Sequence, residues 1–208
     1  MTQIKNTLFI IILLILFTLS VSNADIIDDL KAKQAKVKTI SAQFTQEKHT
    51  KLLAKPIKST GRFLYKQPDR IRWEYQGGTN MHVIFNGREF WLYYPDLNEA
   101  DKINGMPQYS SLMHFDISKM SEDYDIKGTR ERNLLKLRFT PKVKSPVASI
   151  EMEFPEDSSF PKGLKLTDSN GEVTSIIFRD IKLNSDIQDN IFTFAPGKGT
   201  KVRERSLP

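Results

Sequence analysis

In GRFLYKQPDRIRWEYQGG, residues 61–78, two short runs place large aromatic or apolar side chains at every second position on either side of a central Gln-Pro-Asp. Because successive side chains of a β-strand point to opposite faces, this pattern predicts two antiparallel strands joined by a turn at the proline. The large side chains that share one face are Phe63, Tyr65, Ile71, Trp73 and Tyr75. The sheet should therefore carry an aromatic surface on one side.

Similar alternating runs extend along most of the chain. Asn86-Gly87 lies between two of them and predicts a type I′ hairpin, because both central residues of that turn take positive φ. Asn170-Gly171 predicts a second hairpin turn. The runs that predict strands are ISAQFTQEK, STGRFLY, DRIRWEY, MHVIF, REFWLYY, YDIKGTRE, LLKLRFT, SIEMEF, GLKLTD, EVTSIIFRDIKL and IFTFAP. About eleven antiparallel strands in one sheet are expected.

Two segments depart from strand alternation and predict helices. In residues 25–37, Leu30 and Val37 lie on an apolar stripe while charged residues take the other side. In residues 105–124, methionines recur every seventh residue, which suits either core packing or a deformable lid over variable ligands. A long antiparallel sheet with helices on one side predicts a mainly β fold with α, an unclosed antiparallel β-barrel covered by a helical lid. No linker divides residues 25–208, so a single domain is expected.

The N-terminus predicts export. Lys5 precedes an uninterrupted apolar run, Leu8 to Leu19, and Ser22 and Ala24 are placed for signal-peptidase cleavage. A membrane anchor is the competing interpretation, but the run is shorter than the roughly 17 residues that a spanning helix needs. Residues 1–24 are therefore interpreted as a signal peptide that directs the protein to the periplasm. Cysteine is absent, which excludes disulfides, thiolate metal sites and a lipidated N-terminal cysteine.

Sequence signatures of enzymes are scarce. The three histidines are far apart and none belongs to a metal-ligand spacing, and neither a nucleophile elbow nor a phosphate-binding loop is present. The formal net charge of +6 arises from basic residues that alternate with acidic ones, which is typical of a solvated surface, and export argues against nucleic acid. The clustered aromatics remain, either as ordinary core or as the lining of an apolar ligand pocket.

Several motifs in order resemble the periplasmic outer-membrane lipoprotein carrier family LolA. These are FTQEK after an amphipathic helix, GRFLYKQP leading into RIRWEY, NGREFWLYYP, YDIKG with LRFTPK, and NIFTFAPGKGTKV. The resemblance covers nearly all of residues 25–202 and is weakest between 96 and 122. It implies an apolar cavity for acyl chains under a helical lid. The lipid-binding residues that it implies are Phe63, Tyr65, Ile71, Trp73, Tyr75, Trp91, Tyr93, Leu30, Val37, Leu112, Met113 and Phe115.

One departure from the family pattern concerns the lid. The motif usually reads Arg-Pro, with the arginine hydrogen-bonded to the lid, whereas this chain has Gln67-Pro68. Glutamine offers fewer donors and no charge, so a latch at Gln67 should be weaker. Arg70 and Arg72 are the substitute latch candidates, although alternation places both on the face opposite Trp73.

The resemblance implies a monomer without catalytic activity, metal or other cofactor. Its expected partners are the acyl chains of outer-membrane lipoproteins, an inner-membrane lipoprotein-releasing ABC transporter and an outer-membrane lipoprotein receptor. Two alternatives share the fold: a carrier for another lipid or glycolipid, and an envelope-stress sensor.

Overall fold

The computed structural model describes residues 23–78, 80–105 and 113–206. Two helices occur in these ranges, α1 (Asn23–Ala35) and α2 (Ile117–Asp123). The strands are β1 (Thr39–His49), β2 (Ile57–Lys66), β3 (Arg70–Gln76), β4 (Met81–Asn86), β5 (Phe90–Tyr94), β6 (Glu99–Asn104), β7 (Tyr124–Glu131), β8 (Leu134–Pro141), β9 (Val147–Pro155), β10 (Gly163–Asp168), β11 (Val173–Leu183) and β12 (Lys201–Ser206). In this part of the chain, neither helix has the length and apolar character needed to cross a bilayer.

All the strands belong to one sheet in the order β12-β6-β5-β4-β3-β2-β1-β11-β10-β9-β8-β7. Neighbouring strands are antiparallel except β12, which runs parallel to β6. β12 and β7 form the two edges and do not pair with each other, so the sheet is not closed. The predicted fold class, a mainly β protein with an unclosed antiparallel sheet and a helical lid, is confirmed.

The strand predictions fail at three places. IFTFAP is not a strand, because residues Asp189–Phe192 form a 3-10 turn and Phe192 packs against Leu64 on the sheet. β6 and β12 were not predicted, since half or more of the side chains in EADKIN and in KVRERS are charged. In addition to their backbone pairing, these two strands are linked by ion pairs from Asp101 of β6 to Arg203 and Arg205 of β12, at 2.8 and 2.9 Å.

The two predicted hairpins are present, but the first differs in its turn. Gly87 and Arg88 form the two-residue loop between Asn86 and Glu89, and Gly87 alone has positive φ, at 91°. Type I′ was therefore wrong, since only the first central residue adopts positive φ, as in type II′. At the β10–β11 hairpin, Gly171 has φ of 82° as the glycine of the predicted turn.

The helices cover one face of the sheet, which is called the inner face below. α1 begins two residues before the predicted helix and ends at Ala35, so buried Val37 follows it. α1 packs on α2 and β7, and its Leu30 is buried in the main hydrophobic cluster. α2 begins after Asp116, whose carboxylate accepts hydrogen bonds from the backbone N–H groups of Ser118 and Lys119. Much of the predicted 105–124 helix, residues 106–112, lies outside the described residues.

Candidate functional site

The inner face of the sheet is built from aromatic rings on adjacent strands. Phe63 of β2 lies opposite Trp73 of β3, with ring centroids 4.6 Å apart. Phe44 of β1 contacts both Trp73 at 5.0 Å and Tyr75 at 5.1 Å. Gly61 makes this possible, because a Cβ there would lie 2.7 Å from the Phe44 ring and 1.9 Å from a backbone oxygen. The strand pattern of residues 61–78 thus produces a continuous aromatic surface.

Phe115, from the segment before α2, fills the centre of this surface. Its ring lies 5.4 Å from Phe63, 6.0 Å from Trp73 and 5.4 Å from Phe178. A fourth ring, that of Phe160 from the β9–β10 loop, lies 5.2 Å away. Phe115 is 2% exposed and has φ of 54°, a conformation that non-glycine residues rarely adopt. Burial of the ring therefore holds the backbone in a strained position, a cost of about 1–3 kcal/mol.

Gln34 of α1 fixes the backbone at Phe115 and just after it. Its Nε2 donates to the Phe115 carbonyl at 2.8 Å and to the Ser159 carbonyl at 3.2 Å. Its Oε1 accepts from the Ile117 backbone N–H at 3.0 Å. One side chain thereby joins α1, the start of α2 and the β9–β10 loop. We call residues 113–123, which include Phe115 and α2, the lid segment.

Cavities lie on either side of Phe115. One, of about 160 Å³, lies beneath α1 and is lined by Val37, Tyr65, Gln67 and Phe115 among others. Another, of about 170 Å³, is mainly apolar. It is lined by Trp73, Tyr75, Val83, Met113, Phe115, Leu164, Leu166, Thr174 and Ile176. Because Phe115 lines both cavities, movement of this one ring would join them into one continuous space.

The two tyrosines of the inner face stay neutral at ordinary pH. Burial raises the pKa of Tyr75 to about 12, and burial followed by the nearby Asp116 and Asp69 carboxylates raises that of Tyr65 to about 12. The Tyr65 hydroxyl donates to the Pro68 carbonyl at 3.3 Å. Within the described ranges, no group of three or more His, Asp or Glu side chains is arranged to hold a metal ion. The surface is suited to contact with apolar ligand groups.

Most of the predicted lipid-binding residues come together in this face. Phe63, Tyr65, Ile71, Trp73, Leu30, Val37 and Phe115 are buried members of one cluster, and Tyr75 and Met113 pack against it. Leu112 lies outside the described residues. The alternation in residues 61–78 therefore identified the correct strands and the correct face. That these residues bind lipid is a proposal.

Trp91 and Tyr93 lie on the opposite, outer face of the sheet. Phe90 and Leu92 take the inward positions of β5, and alternation sends Trp91 and Tyr93 outwards. The ring of Phe194, from the C-terminal segment, covers them at 5.3 and 4.7 Å. Their assignment to the lipid-binding surface was therefore wrong, because the outer face of β5 is also apolar and is covered by the chain itself.

The candidate latch residues differ in position. Gln67 lies beside the lid segment, since it lines the first cavity together with Asp116. Its backbone N–H donates to the Lys38 carbonyl at 2.8 Å. Among the described residues, no hydrogen bond of its side chain is found. Gln67 is therefore in place for a latch but does not form one in this conformation.

Arg70 and Arg72 lie on the outer face and hold the C-terminal segment. Arg70 binds Asp189 at 2.6 Å, and Arg72 donates to the Ile191 carbonyl at 2.9 Å. Hydrogen bonds from Lys66 and then Arg70 lower the pKa of Asp189. These arginines do not contact the lid segment, so their candidacy as a substitute latch was wrong.

Sequence reasoning missed Gln34, Phe44, Phe160 and Phe178. Phe44 and Phe178 are opposite each other on β1 and β11, and the alternation of ISAQFTQEK and SIIFRD was a sufficient signal for both. Phe160 lies in a loop, where a large aromatic residue is itself a sign of burial. Gln34 gave no signal, because its partners are backbone groups 81 to 125 residues away in the sequence.

A family model and curated relatives match most of the chain. A model of the family described as outer membrane lipoprotein carrier protein LolA matches residues 35–195. An outer-membrane lipoprotein carrier protein of Pseudomonas putida strain GB-1 is 29% identical over 178 residues, which cover 80% of this chain and 82% of the relative. Its counterpart from Legionella pneumophila strain Corby is 26% identical over 202 residues, which cover 95% and 98%.

Solved structures share the fold at low sequence identity. An uncharacterized conserved protein from Thermus thermophilus has a TM-score of 0.58 at 15% identity, covering 88% of this chain and 100% of its own. The Pseudomonas aeruginosa MucA/MucB complex includes a chain with a TM-score of 0.50 at 14% identity, covering 83% of this chain and 61% of that one. At these identities the likeness extends to the fold alone.

Proposed function

The chain belongs to the LolA family of outer-membrane lipoprotein carrier proteins, and from this we propose that it carries acylated lipoproteins across the periplasm. It accepts them from an inner-membrane ABC transporter, shields their acyl chains between the sheet and the lid segment, and delivers them to an outer-membrane receptor. Export requires removal of residues 1–24, with cleavage near Ala24. The protein acts as a single-domain monomer and needs no nucleotide or other cofactor of its own.

The observation that carries this proposal is the position of Phe115 between two cavities, one of them mainly apolar. Burial of an acyl chain stabilises it by about 0.8 kcal/mol per CH₂, so a long chain carries on the order of 10 kcal/mol and requires a shielded path through water. Cavities of about 160 and 170 Å³ are close in size to one that binds benzene, about 150 Å³. A long acyl chain does not fit either cavity as it stands, so loading requires the lid segment to move.

Loading then exchanges one apolar occupant for another. The acyl chains displace the Phe115 ring and contact Phe63, Trp73 and Phe178 in its place, while the three hydrogen bonds of Gln34 to the lid segment and the β9–β10 loop are broken or rearranged. Unloading is favoured because Phe115 and Gln34 re-form their contacts as the cargo leaves. Lid and cargo compete for the same space, and each transfer is a shift between open and closed populations.

Mass spectrometry of what co-purifies with the exported protein tests this function. We expect triacylated lipoprotein or its N-terminal peptide in association with the wild type. Trp73→Ser should lose this cargo, whereas Tyr93→Ser, which removes an aromatic ring from the outer face, should retain it. Circular dichroism confirms that both variants are folded. Recovery of free lipid or glycolipid without acylated protein would instead support a carrier of another lipid, and recovery of a signalling protein alone would support a sensor.

A further inference from the structure

The hairpin loop between β1 and β2 presents leucine side chains to solvent. We call residues 50–57 the β1–β2 tip. Leu52 is 91% exposed, the adjacent Leu53 is 53% exposed and Ile57 is 45% exposed. Leucine and isoleucine are among the residues most often buried, and single exposed ones need no explanation. Three within one short loop form an apolar patch, and such patches mark interaction sites.

The β1–β2 tip projects beyond one neighbouring strand. β1 and β2 stay paired as far as Lys48 and Ile57, whereas β3 pairs with β2 only as far as Gln76, opposite Thr60. Several residues separate these two points, so one flank of the tip is not covered by β3. The tip is therefore a protruding point and not a groove.

The mainly apolar cavity lies near the same end of the sheet. Its lining includes Thr174 and Tyr75, which are near the ends of their strands. Thr174 of β11 pairs with Lys48, two residues from the tip. Tyr75 of β3 pairs with Gly61 on β2, near the tip. A surface that meets the tip would therefore also lie near this cavity.

The charges around the tip are mainly basic. Lys51 and Lys55 flank the two leucines and are exposed, and no ion pair to either is found in the described part of the chain. The nearby acidic groups are engaged. Glu47 binds Lys58 at 2.7 Å, Glu172 lies 3.5 Å from Lys48, and Asp168 accepts hydrogen bonds from the backbone of its own hairpin loop.

The β8–β9 loop, at the same end of the sheet, also has an exposed apolar side chain between lysines. Val143 in the β8–β9 loop is 71% exposed between Lys142 and Lys144. This loop adjoins the β10–β11 hairpin, since Ser169 N–H donates to the Pro146 carbonyl at 2.7 Å. The β10–β11 hairpin in turn adjoins the β1–β2 tip, because a Cβ added at Gly171 would lie 3.9 Å from the Lys51 side chain. Apolar side chains flanked by lysines thus recur along one end of the sheet.

We propose that the β1–β2 tip docks on the surface of an anionic phospholipid bilayer, with Leu52 and Leu53 inserted among the acyl chains and Lys51 and Lys55 bound to lipid phosphates. Apolar residues inserted beside lysines are the usual pattern of an interfacial anchor. A protein partner fits less well, since a stable interface buries about 800 Å² on each side and a protruding tip of three apolar side chains offers far less. Weak, reversible membrane contact suits a protein that must leave the surface again. This inference does not depend on the nature of the cargo.

Vesicle flotation tests the docking directly. The processed protein, purified after export so that Leu8–Leu19 is absent, is mixed with vesicles of phosphatidylethanolamine and phosphatidylglycerol, or of phosphatidylcholine alone. We expect binding to the anionic vesicles that weakens at high salt. Leu52→Ser/Leu53→Ser should reduce the partition coefficient by about tenfold. The control Ile177→Ser/Val202→Ser alters residues that are 52% and 44% exposed elsewhere on the sheet, and should bind like the wild type.

Substitution of Lys51 and Lys55 gives an independent test of the docking. Lys51→Gln/Lys55→Gln should weaken binding to anionic vesicles by about fivefold or more, because each lysine near such a surface adds attraction. Lys127→Gln/Lys182→Gln, two exposed lysines on β7 and β11, should leave binding unchanged. The proposal is overturned if the wild type does not float with anionic vesicles, or if both tip variants bind as the wild type does. Loss of affinity for a purified protein partner, with vesicle binding unaltered, would also overturn it.

Discussion

The Phe115 ring is the clearest target for perturbation, since it occupies the space that we assign to cargo. Phe115→Ala removes a side chain that is 2% exposed and surrounded by four aromatic rings at 5.2 to 6.0 Å. Truncation of a buried phenylalanine costs about 3–5 kcal/mol when the surroundings do not collapse. For a domain of this size, each kcal/mol lowers Tm by about 2–4 °C, so a decrease of about 6–20 °C is expected.

The same truncation should strengthen ligand binding. In the wild type a ligand must displace the ring, whereas in Phe115→Ala the two cavities are already joined. An acyl chain that fills the space left by the ring recovers part of the lost ~3–5 kcal/mol. Each ~1.4 kcal/mol recovered tightens binding about tenfold. Partial collapse of the cavity reduces this gain. We expect at least about tenfold tighter binding of a fluorescent fatty acid, measured by titration.

Phe154→Ala is the matched control for this experiment. Phe154 of β9 is also fully buried, at 0% exposure, but lines neither cavity beside Phe115. It should lower Tm by a similar amount without raising probe affinity. If Phe115→Ala destabilises the protein and yet binds the probe no more tightly than Phe154→Ala does, Phe115 does not compete with ligand. Phe115→Leu, a milder change, covers the case in which the alanine variant fails to fold.

Three further results are expected. Gln34→Ala leaves the buried Ile117 N–H without its partner, so it should lower the free energy of unfolding by about 1–3 kcal/mol and raise affinity for the fluorescent fatty acid severalfold. The control Gln43→Ala, at an exposed glutamine of β1, should change neither quantity. Gln67→Arg places a guanidinium near Asp116 and should favour closure of the lid segment by about 1.5–3 kcal/mol. We expect a higher Tm, severalfold weaker binding of the fluorescent fatty acid and slower hydrogen exchange in the lid segment. Wild-type values in all three measurements would show that position 67 is not a latch. Tyr65 and Tyr75 have pKa values of about 12, against 10 for an ordinary tyrosine, so their burial stabilises the fold fully below pH 10 and this contribution is lost as pH rises toward 12. The free energy of unfolding, measured by denaturation across that pH range, should therefore fall less steeply with pH in Tyr75→Phe than in the wild type. An unchanged pH profile would count against a buried, neutral Tyr75.

The sequence predicted the inner face well because that face obeys a simple rule. In RIRWEY, arginine and glutamate alternate with Ile71, Trp73 and Tyr75, so only one assignment of faces buries the apolar groups. FWLYY offers no such choice, since all its side chains are apolar or aromatic. The faces of Trp91 and Tyr93 then depend on what covers the outside of the sheet. That cover is Phe194, more than 100 residues away, in a segment that was expected to be a strand.

Polar elements were the least predictable from sequence. β6 and β12 pair through Asp101, Arg203 and Arg205, and a run of charged residues resembles an ordinary surface loop until its partner strand is known. Gln34 is similar, because it recognises backbone groups, which any sequence supplies. Arg72 was a latch candidate on account of its charge, but its actual partners, Glu74 and the Ile191 carbonyl, are on the outer face.

Fluorescence of the two tryptophans shows whether acyl chains occupy the inner face of the sheet. The chain has only Trp73 and Trp91, which lie on opposite faces. In the Trp91→Phe variant, a triacylated lipopeptide with brominated acyl chains should quench Trp73, because bromine quenches at contact range. In the Trp73→Phe variant, the same lipopeptide should leave Trp91 unquenched. Quenching of Trp91 alone, or of both tryptophans equally, would contradict the account.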